Sequence, residues 1–591
     1  MQTFSYNIDM HVKKLVLVLL IVAIVVSRFV GLNWGLPYSM HPDERNMSNA
    51  IQNLGCKVMK NELRVTSLKI CLNPQFFAYG QLPLYLGYGG VMFSRLVTLR
   101  SLSPPISFDE ATIALRLISA ISSLATIFVL YRIVGNLLWK KRKQSFLQEC
   151  AVIVTISFVP WAIQISHFGT TESLLMMLFS LILYFSLAIS DEKNNTRNYI
   201  LCGLLCGISI GVKLSSIVVF VLPLLAMLIS TLSSYKKQRI HPYFAILRIF
   251  MIMIIFLVVG YFLSSPYNVI SFSDFINSMQ YESAVALGKI EVFYTRQFFA
   301  SIPYYFQLVR VFPYALGTPM FIFFVLSLFT LPVNSLKWWI IRLAFIVPFI
   351  TSGFIFAKWS RFMALTFPPA TLIIALGVGF YVEYIERNKK LVVKLVGFLI
   401  VVSLILPGLS YISIYSQQDV RFAATERIKK IIPSGSMILS ETANVVDIPF
   451  NAPYKNYNVI SFDFYNLDTD LKLQNDLNNN LRSADYIFVP SRRIFANHTC
   501  YWPGGNKNLR TFIDYFAYKS SRCKDLIRKY PHLNEYYRNL FDVTKYHLIA
   551  EISSYPKISL FGQTLIEHSD EASEETWTVF DHPVVRIYKK I

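Results

Sequence analysis

The sequence holds 591 residues with a net charge of +21, and hydrophobic residues make up 54% of it while charged residues make up only 15%. Soluble globular chains carry roughly 25% charge, disordered chains are poorer in apolar residues, and 24 Gly and 7 Cys over this length exclude a collagen-like or disulfide-scaffold protein. A polytopic membrane protein with a part outside the bilayer remains. Most cations fall between apolar runs, so the positive balance is assigned to membrane topology and not to nucleic acid.

A spanning helix needs about 20 mainly apolar residues, and about 11 runs meet that criterion. They lie at 14–34, 111–132, 149–166, 173–190, 198–213, 215–231, 247–264, 316–333, 339–356, 363–383 and 392–412. The first is expected to be a signal anchor, because Arg28 and Trp34 follow it without a small-x-small cleavage site. With the N-terminus inside, the cations Lys13, Lys14, Arg132, Lys140 to Lys143, Lys193, Arg197, Lys236, Lys237, Arg239, Arg248, Lys337, Arg342, Arg387, Lys389, Lys390 and Lys394 fall in inside loops. The exceptions in short outside turns are Lys213, Lys358 and Arg361. An odd number of spans then puts the C-terminal region outside, as in a multi-pass protein of the cytoplasmic membrane.

Segment 35–110 forms a large outer loop, and 265–315 a shorter one. The expected domains are a membrane domain, 1–412, and an extracytoplasmic domain, 413–591. In the latter, strand-like runs ("SMILSE", "YNVISFDF", "ADYIFVP", "YHLIAEI", "VVRIYKK") alternate with helix-like stretches such as "FAATERIKKII", which predicts a small α/β domain. Four cysteines fall outside. Either they remain thiols or they form disulfides, and proximity favours Cys56–Cys71 and Cys500–Cys523 among three pairings. "NHT" at Asn497 fits an N-glycosylation sequon.

No phosphate-binding glycine loop, HExxH or CxxC motif occurs. The informative residues are ionisable groups at the outer ends of spans, where charge is costly. "MHPDERN" holds His41, Asp43 and Glu44, which read either as a solvated turn or as a carboxylate base at the membrane edge. "HFGTTESLL" holds Glu172, either a helix-dipole partner behind a Thr cap or a cavity acid. Lys213, Lys358 and Arg361 read either as snorkelling side chains or as an anion site. In the middle segment, Tyr281, Glu282 and Arg296 are cavity candidates, against a solvated helix lying on the membrane.

Acids and cations on one face, beside a large loop, resemble a known family. "HPDERNMSNAI" resembles the acidic motif in the first outer loop of the GT-C glycosyltransferases. The closest group is family 39, which holds the protein O-mannosyltransferases and the lipid A aminoarabinose transferases. "QLPLYLGYG", "RLISAISSLATIFVLY", "TTESLLMMLFSLILYFSL", "GVKLSSIVVFVLPLL", "SRFMALTFPPATLIIALG" and "FDHPVVRIYKK" look like further family segments in the family's order, over nearly the whole chain. The resemblance implies a GT-C fold and an inverting transfer of sugar from a polyprenyl-phosphate carrier to an acceptor hydroxyl at the outer face. It implies Asp43 as general base, Glu44 as its neighbour and Glu172 as a second cavity acid. Lys213 and Arg361, with Lys358, would face the donor phosphate. His41 and Gln81 line the same segments. Gln81 stands where the lipid A enzymes carry a lysine, so lipid A specificity does not follow. No cofactor is required by this chemistry, no metal ligand set is expected, and a divalent metal is not excluded. The partners implied are the lipid-linked sugar, a hydroxyl acceptor on protein or glycan, and the bilayer. A transporter or flippase for a lipid-linked sugar is the alternative, but transporters show related halves and charges near the midplane.

Overall fold

The computed structural model describes residues 2–38, 40–55, 71–99, 105–139, 144–191, 195–238, 243–442, 448, 456–503 and 521–591. Each apolar run of the sequence is helical in it. Among the described residues, eight helices are long and apolar enough to cross a membrane, or up to ten if each of two bent pairs is one span. The bent pairs are Phe146–Ser157 with Pro160–His167 and Tyr305–Ala315 with Thr318–Thr330. Pro160 and the Gly317–Pro319 step account for the bends, since proline cannot donate into the preceding turn. The eleventh expected span is the shorter apolar helix Thr196–Val212. Ser360–Arg387 is the central helix, with 89% of its most apolar window buried, whereas Met10–Phe29 and Tyr243–Ser264 bury 11% of theirs and turn their apolar sides outward.

Local sequence explains how the bundle is placed. Ser107 and Glu110 form a reciprocal capping box that opens Phe108–Val134. Thr196–Val212 packs on Tyr243–Ser264 through a seam of glycines. A Cβ on Gly203 or Gly207 would run into the backbone oxygen of Met253 or Leu257, and one on Gly260 into that of Leu204. Small residues at four-residue spacing thus let the two backbones touch. The loop before Leu82–Val97 closes on the end of the same helix, where Gly80 N–H donates to the Val212 carbonyl at 2.9 Å. That contact sets Tyr79 beside Lys213.

The C-terminal part is an α/β unit. Its strands are β1 (Met437–Thr442), β2 (Asn458–Asp463), β3 (Tyr486–Val489), β4 (Tyr546–Ile552), β5 (Lys557–Leu560), β6 (Gln563–Glu567) and β7 (Val585–Lys590). The main sheet has the order β2-β1-β3-β7-β4; β1 runs parallel to β2 and β3, and β7 antiparallel to β3 and β4. Central β3 is buried at every position, as expected for a strand covered on both faces. Ala424 and Ile428 of Val420–Ile431 cover one face with Ile438 and Ile587, while Leu533 and Tyr537 of Pro531–Leu540 cover the other with Ile487 and Tyr588. Strands β5 and β6 form a separate hairpin.

The segment 568–582, between β6 and β7, leaves this unit and enters the helical bundle. Trp577 lies in the bundle core. His582 bridges Asp570 at 2.8 Å and Asp581 at 2.7 Å. Burial opposes its charge, but the two carboxylates outweigh burial and raise its pKa to about 10. Asp581 also accepts from Tyr415 at 2.8 Å and Gln164 at 3.0 Å, so the segment is bonded to two bundle helices.

Cys500 and Cys523 are joined by a disulfide. Cys71 is also disulfide-bonded, and Cys56 lies outside the described residues. The sequon is not a glycan site in this fold. Asn497 is fully buried, accepting from Gln297 N–H at 2.9 Å and donating to the Arg493 carbonyl at 2.6 Å.

Candidate functional site

Four helix ends meet at one end of the bundle. Asp43 lies in the first turn of Pro42–Asn53, Glu172 opens Glu172–Asp191, Lys213 follows Thr196–Val212, and Arg361 opens the 3-10 turn Ser360–Thr366 that leads into the central helix. Both acids therefore sit at helix N-termini, where the dipole favours negative charge. Asp43 pairs with Arg361. Glu172 accepts from Lys213 Nζ at 2.9 Å. The Asp43 and Arg361 side chains remain 16% and 24% exposed, so this pair faces an accessible space.

The two ion pairs form one electrostatic unit. Arg361 interacts with Asp43, Tyr79 and Glu172 together. Glu282, exposed on the rim in helix Phe272–Ala286, senses Arg361, Asp43 and Lys213. Aromatic rings frame the cations: Lys213 Nζ stands 5.6 Å from the Tyr79 ring centre and 5.5 Å from that of Phe362, and the Arg361 guanidinium 4.7 Å from that of Trp359. Burial first, then the charge of Asp43, pushes the Tyr79 phenol well above its ordinary value, so it stays a neutral donor.

Several expected site residues have other duties. Glu44 does not join Asp43 in the open space. It is buried and forked by Arg116, with Nε to Oε1 and Nη2 to Oε2 both at 2.8 Å, and it accepts Gly169 N–H at 2.6 Å. It thereby ties the Asp43 helix to the second span and to the turn before Glu172. His41 caps the Asp43 helix, its Nδ1 accepting from Asp43 N–H at 3.2 Å, and its ring lies between Phe168 and Phe580. Burial lowers its pKa and keeps it neutral. Gln81 is fully buried away from the ion pairs; it donates to Asn268 at 3.0 Å and accepts from Tyr267 N–H at 2.9 Å. Lys358 is not brought to the acids: its Nζ donates to the Phe356 carbonyl at 3.0 Å, and burial lowers its pKa to about 8. Arg296 pairs with Glu291. Among the described residues, no group of three or more His, Cys, Asp or Glu could hold a metal ion.

The structure adds residues that motif reading did not supply. Tyr79, Phe362 and Trp359 are the aromatic frame. Arg116, a charge inside a span, signals a buried partner. From the C-terminal segment, buried Glu574 accepts Ser360 N–H and Oγ–H, each at 3.1 Å, next to Arg361. Phe580 packs on His41, next to Asp43. The C-terminal segment thus grips both sides of the Asp43–Arg361 pair. An acid-rich stretch 531 residues from Asp43 in sequence (574 − 43 = 531) carries no local signal of this.

Residues 106–261 match the family described as dolichyl-phosphate-mannose-protein mannosyltransferase. No curated protein matches the chain. Among solved structures, the chain is similar to apo ArnT from Cupriavidus metallidurans (14% identity, 79% of this chain and 88% of that chain covered, TM-score 0.45). It is likewise similar to the same protein bound to undecaprenyl phosphate (12% identity, 81% and 93% covered, TM-score 0.45). A third similar structure is the apo oligosaccharyltransferase of Archaeoglobus fulgidus (11% identity, 97% and 88% covered, TM-score 0.45).

Proposed function

We propose that this chain, whose residues 106–261 match a family described as dolichyl-phosphate-mannose-protein mannosyltransferase, is a GT-C type membrane glycosyltransferase, an inverting enzyme that moves a sugar from a polyprenyl-phosphate carrier to an acceptor hydroxyl at the outer face. The observation that supports this reading best is the coupled pair of ion pairs, Asp43–Arg361 and Glu172–Lys213, on helix ends at one edge of the bundle. The leaving group is a phosphate, which needs charge stabilisation more than protonation, and Arg361 and Lys213 supply it. A phosphate lying between them shares these cations with the carboxylates. That loosens the hold of Arg361 on Asp43 and makes Asp43 a better base.

In the reaction the acceptor oxygen bonds to the anomeric carbon as the carbon–oxygen bond to phosphate breaks. The electron pair leaves on phosphate, and the hydroxyl proton passes to Asp43. One in-line displacement inverts the centre and requires no enzyme nucleophile. Glu172 keeps Lys213 in place, and the rings of Tyr79, Phe362 and Trp359 flank the two cations. The long isoprenoid tail stays in lipid, which accounts for a polytopic catalyst. The membrane domain, 1–412, carries the chemistry, and the α/β domain, 413–591, completes the site from outside.

The test is transfer itself. Purified protein receives a panel of radiolabelled polyprenyl-phosphate sugars with its own membranes as acceptor. Label should leave the carrier for a new species with wild type and not with Asp43→Asn. Flipping of those donors across liposomes without transfer, equal in wild type and Asp43→Asn, would replace the enzyme by a transporter.

The C-terminal grip makes a second prediction. Glu574→Gln puts an amide where Ser360 needs an acceptor and removes hydrogen bonds to a charged oxygen. We expect kcat to fall about tenfold, or about 1.4 kcal/mol, with KM for donor raised as Arg361 loses its seat. A variant with lower Tm but unchanged kcat and KM would limit Glu574 to a stabilising role.

A further inference from the structure

The β5–β6 hairpin is the feature that the site leaves unused. Its register pairs Lys557 with Glu567 and Leu560 with Gln563. The turn residues Phe561 and Gly562 both have positive φ, 50° and 81°, the backbone demanded by a tight two-residue hairpin. From Ile558 to Ile566 the sequence "ISLFGQTLI" carries no charge, and the ionisable residues Lys557 and Glu567 stand at the base. Four large apolar side chains are bare: Leu560 (54% exposed), Phe561 (96%), Leu565 (60%) and Ile566 (40%). A lone two-stranded hairpin is marginal in water, and a clustered apolar tip marks a binding surface.

The position of its base identifies the occupant. Lys557 N–H donates to Ser413 Oγ at 3.1 Å, and the His568 ring centre lies 6.5 Å from that of Tyr411. Ser413 and Tyr411 belong to the last turns of Leu391–Ser416, a helix long and apolar enough to span the membrane. The hairpin is therefore rooted at the level where this span leaves the bilayer. A four-residue strand reaches about 13 Å. The headgroup layer is roughly 5–8 Å thick on each side, so the tip spans it. We propose that the β5–β6 hairpin inserts its Leu560–Phe561–Leu565–Ile566 tip into the lipid leaflet beside the last span, and so moors the α/β domain to the bilayer over the site. Lys557 and Glu567 stay among the headgroups. The uncharged tip makes no demand on lipid charge, so a neutral phosphatidylcholine bilayer suffices.

An environment-sensitive fluorophore placed at residue 561 tests this. Phe561→Cys is made with Cys150→Ser in the full-length protein, labelled with a nitrobenzoxadiazole probe, and placed one copy per nanodisc of phosphatidylcholine. Leu471→Cys, on the exposed helix Leu471–Ser483 of the same domain, is the solvent control. The residue 561 probe should emit to the blue of the control, lose at least half its intensity in acyl-brominated lipid, and resist aqueous iodide several-fold better. Equal iodide quenching at both sites, with no effect of brominated lipid, would overturn the proposal. So would shielding that is absent in single-copy nanodiscs and grows with protein concentration in detergent, since the tip would then meet a second copy.

Discussion

Asp43→Asn is expected to lower kcat by roughly 10²–10⁴-fold, the usual contribution of a positioned general base, while the protein stays folded and keeps its donor. The fold is spared for a specific reason. The helix start is held by the backbone N–H of Asp43 on His41 Nδ1 and by Glu44 on Arg116, neither of which uses the Asp43 carboxylate. Asn is nearly isosteric and its amide oxygen still accepts from Arg361. Arg361 also keeps the field of Glu172, so the phosphate site is not stripped of balance. Single-turnover kinetics with bound donor, beside a direct binding measurement, separates the two effects. A variant that turns over like wild type would move the base to Glu172 or Glu282, two further acids in the field of Arg361. A variant that loses donor binding as well as transfer would show that the Asp43–Arg361 pair shapes the phosphate site and is more than a base.

Periodicity carried far in this chain because two solvents impose two patterns. Each of the 11 apolar runs became helix, since a backbone in lipid must satisfy its own hydrogen bonds. The runs "SMILSE", "YNVISFDF", "ADYIFVP", "YHLIAEI" and "VVRIYKK" became β1, β2, β3, β4 and β7, since short runs rich in β-branched and aromatic residues favour strands, and among them the central β3 is buried at every position. The hairpin was missed for the converse reason: "KISLFGQTLIE" has neither a strand-length apolar run nor strict alternation. At the site, charges at span ends were legible because such charges need a purpose, and Asp43, Glu172, Lys213 and Arg361 do meet. Their mutual pairing was not legible, because partners 318 residues apart leave no local trace. Glu44 misled for a related reason. Adjacent acids look alike in sequence, but neighbours on a helix point about 100° apart, so Asp43 faces the open space and Glu44 the core.

That inward side of the helix carries the largest stability effect. Arg116→Met is expected to destabilise the protein by about 3–5 kcal/mol, because it leaves the Glu44 carboxylate buried with no counter-charge. Both side chains are only 2% exposed. Arg116 does more than neutralise: its Nη1 also donates to the carbonyls of Leu32 at 2.9 Å and Trp34 at 2.6 Å, which fastens the chain leaving the first span. Glu44 in turn holds Gly169 N–H, where a Cβ would crowd Leu115 and Glu44. One buried pair therefore sets the relative positions of three elements, two of which present Asp43 and Glu172. Methionine fills the volume of the arginine stem and isolates the electrostatic loss. The double variant Glu44→Gln/Arg116→Met should recover a large part of the stability, since no charge is then left stranded. Thermal unfolding in one detergent, for wild type, Arg116→Met, Glu44→Gln and the double variant, measures the coupling. If Arg116→Met and the double variant unfold together, well below wild type, the carbonyl contacts carry the effect and the buried charge does not. If the double variant recovers Tm but not transfer, the pair is shown to place Asp43 and Glu172 for the chemistry, beyond keeping the bundle folded.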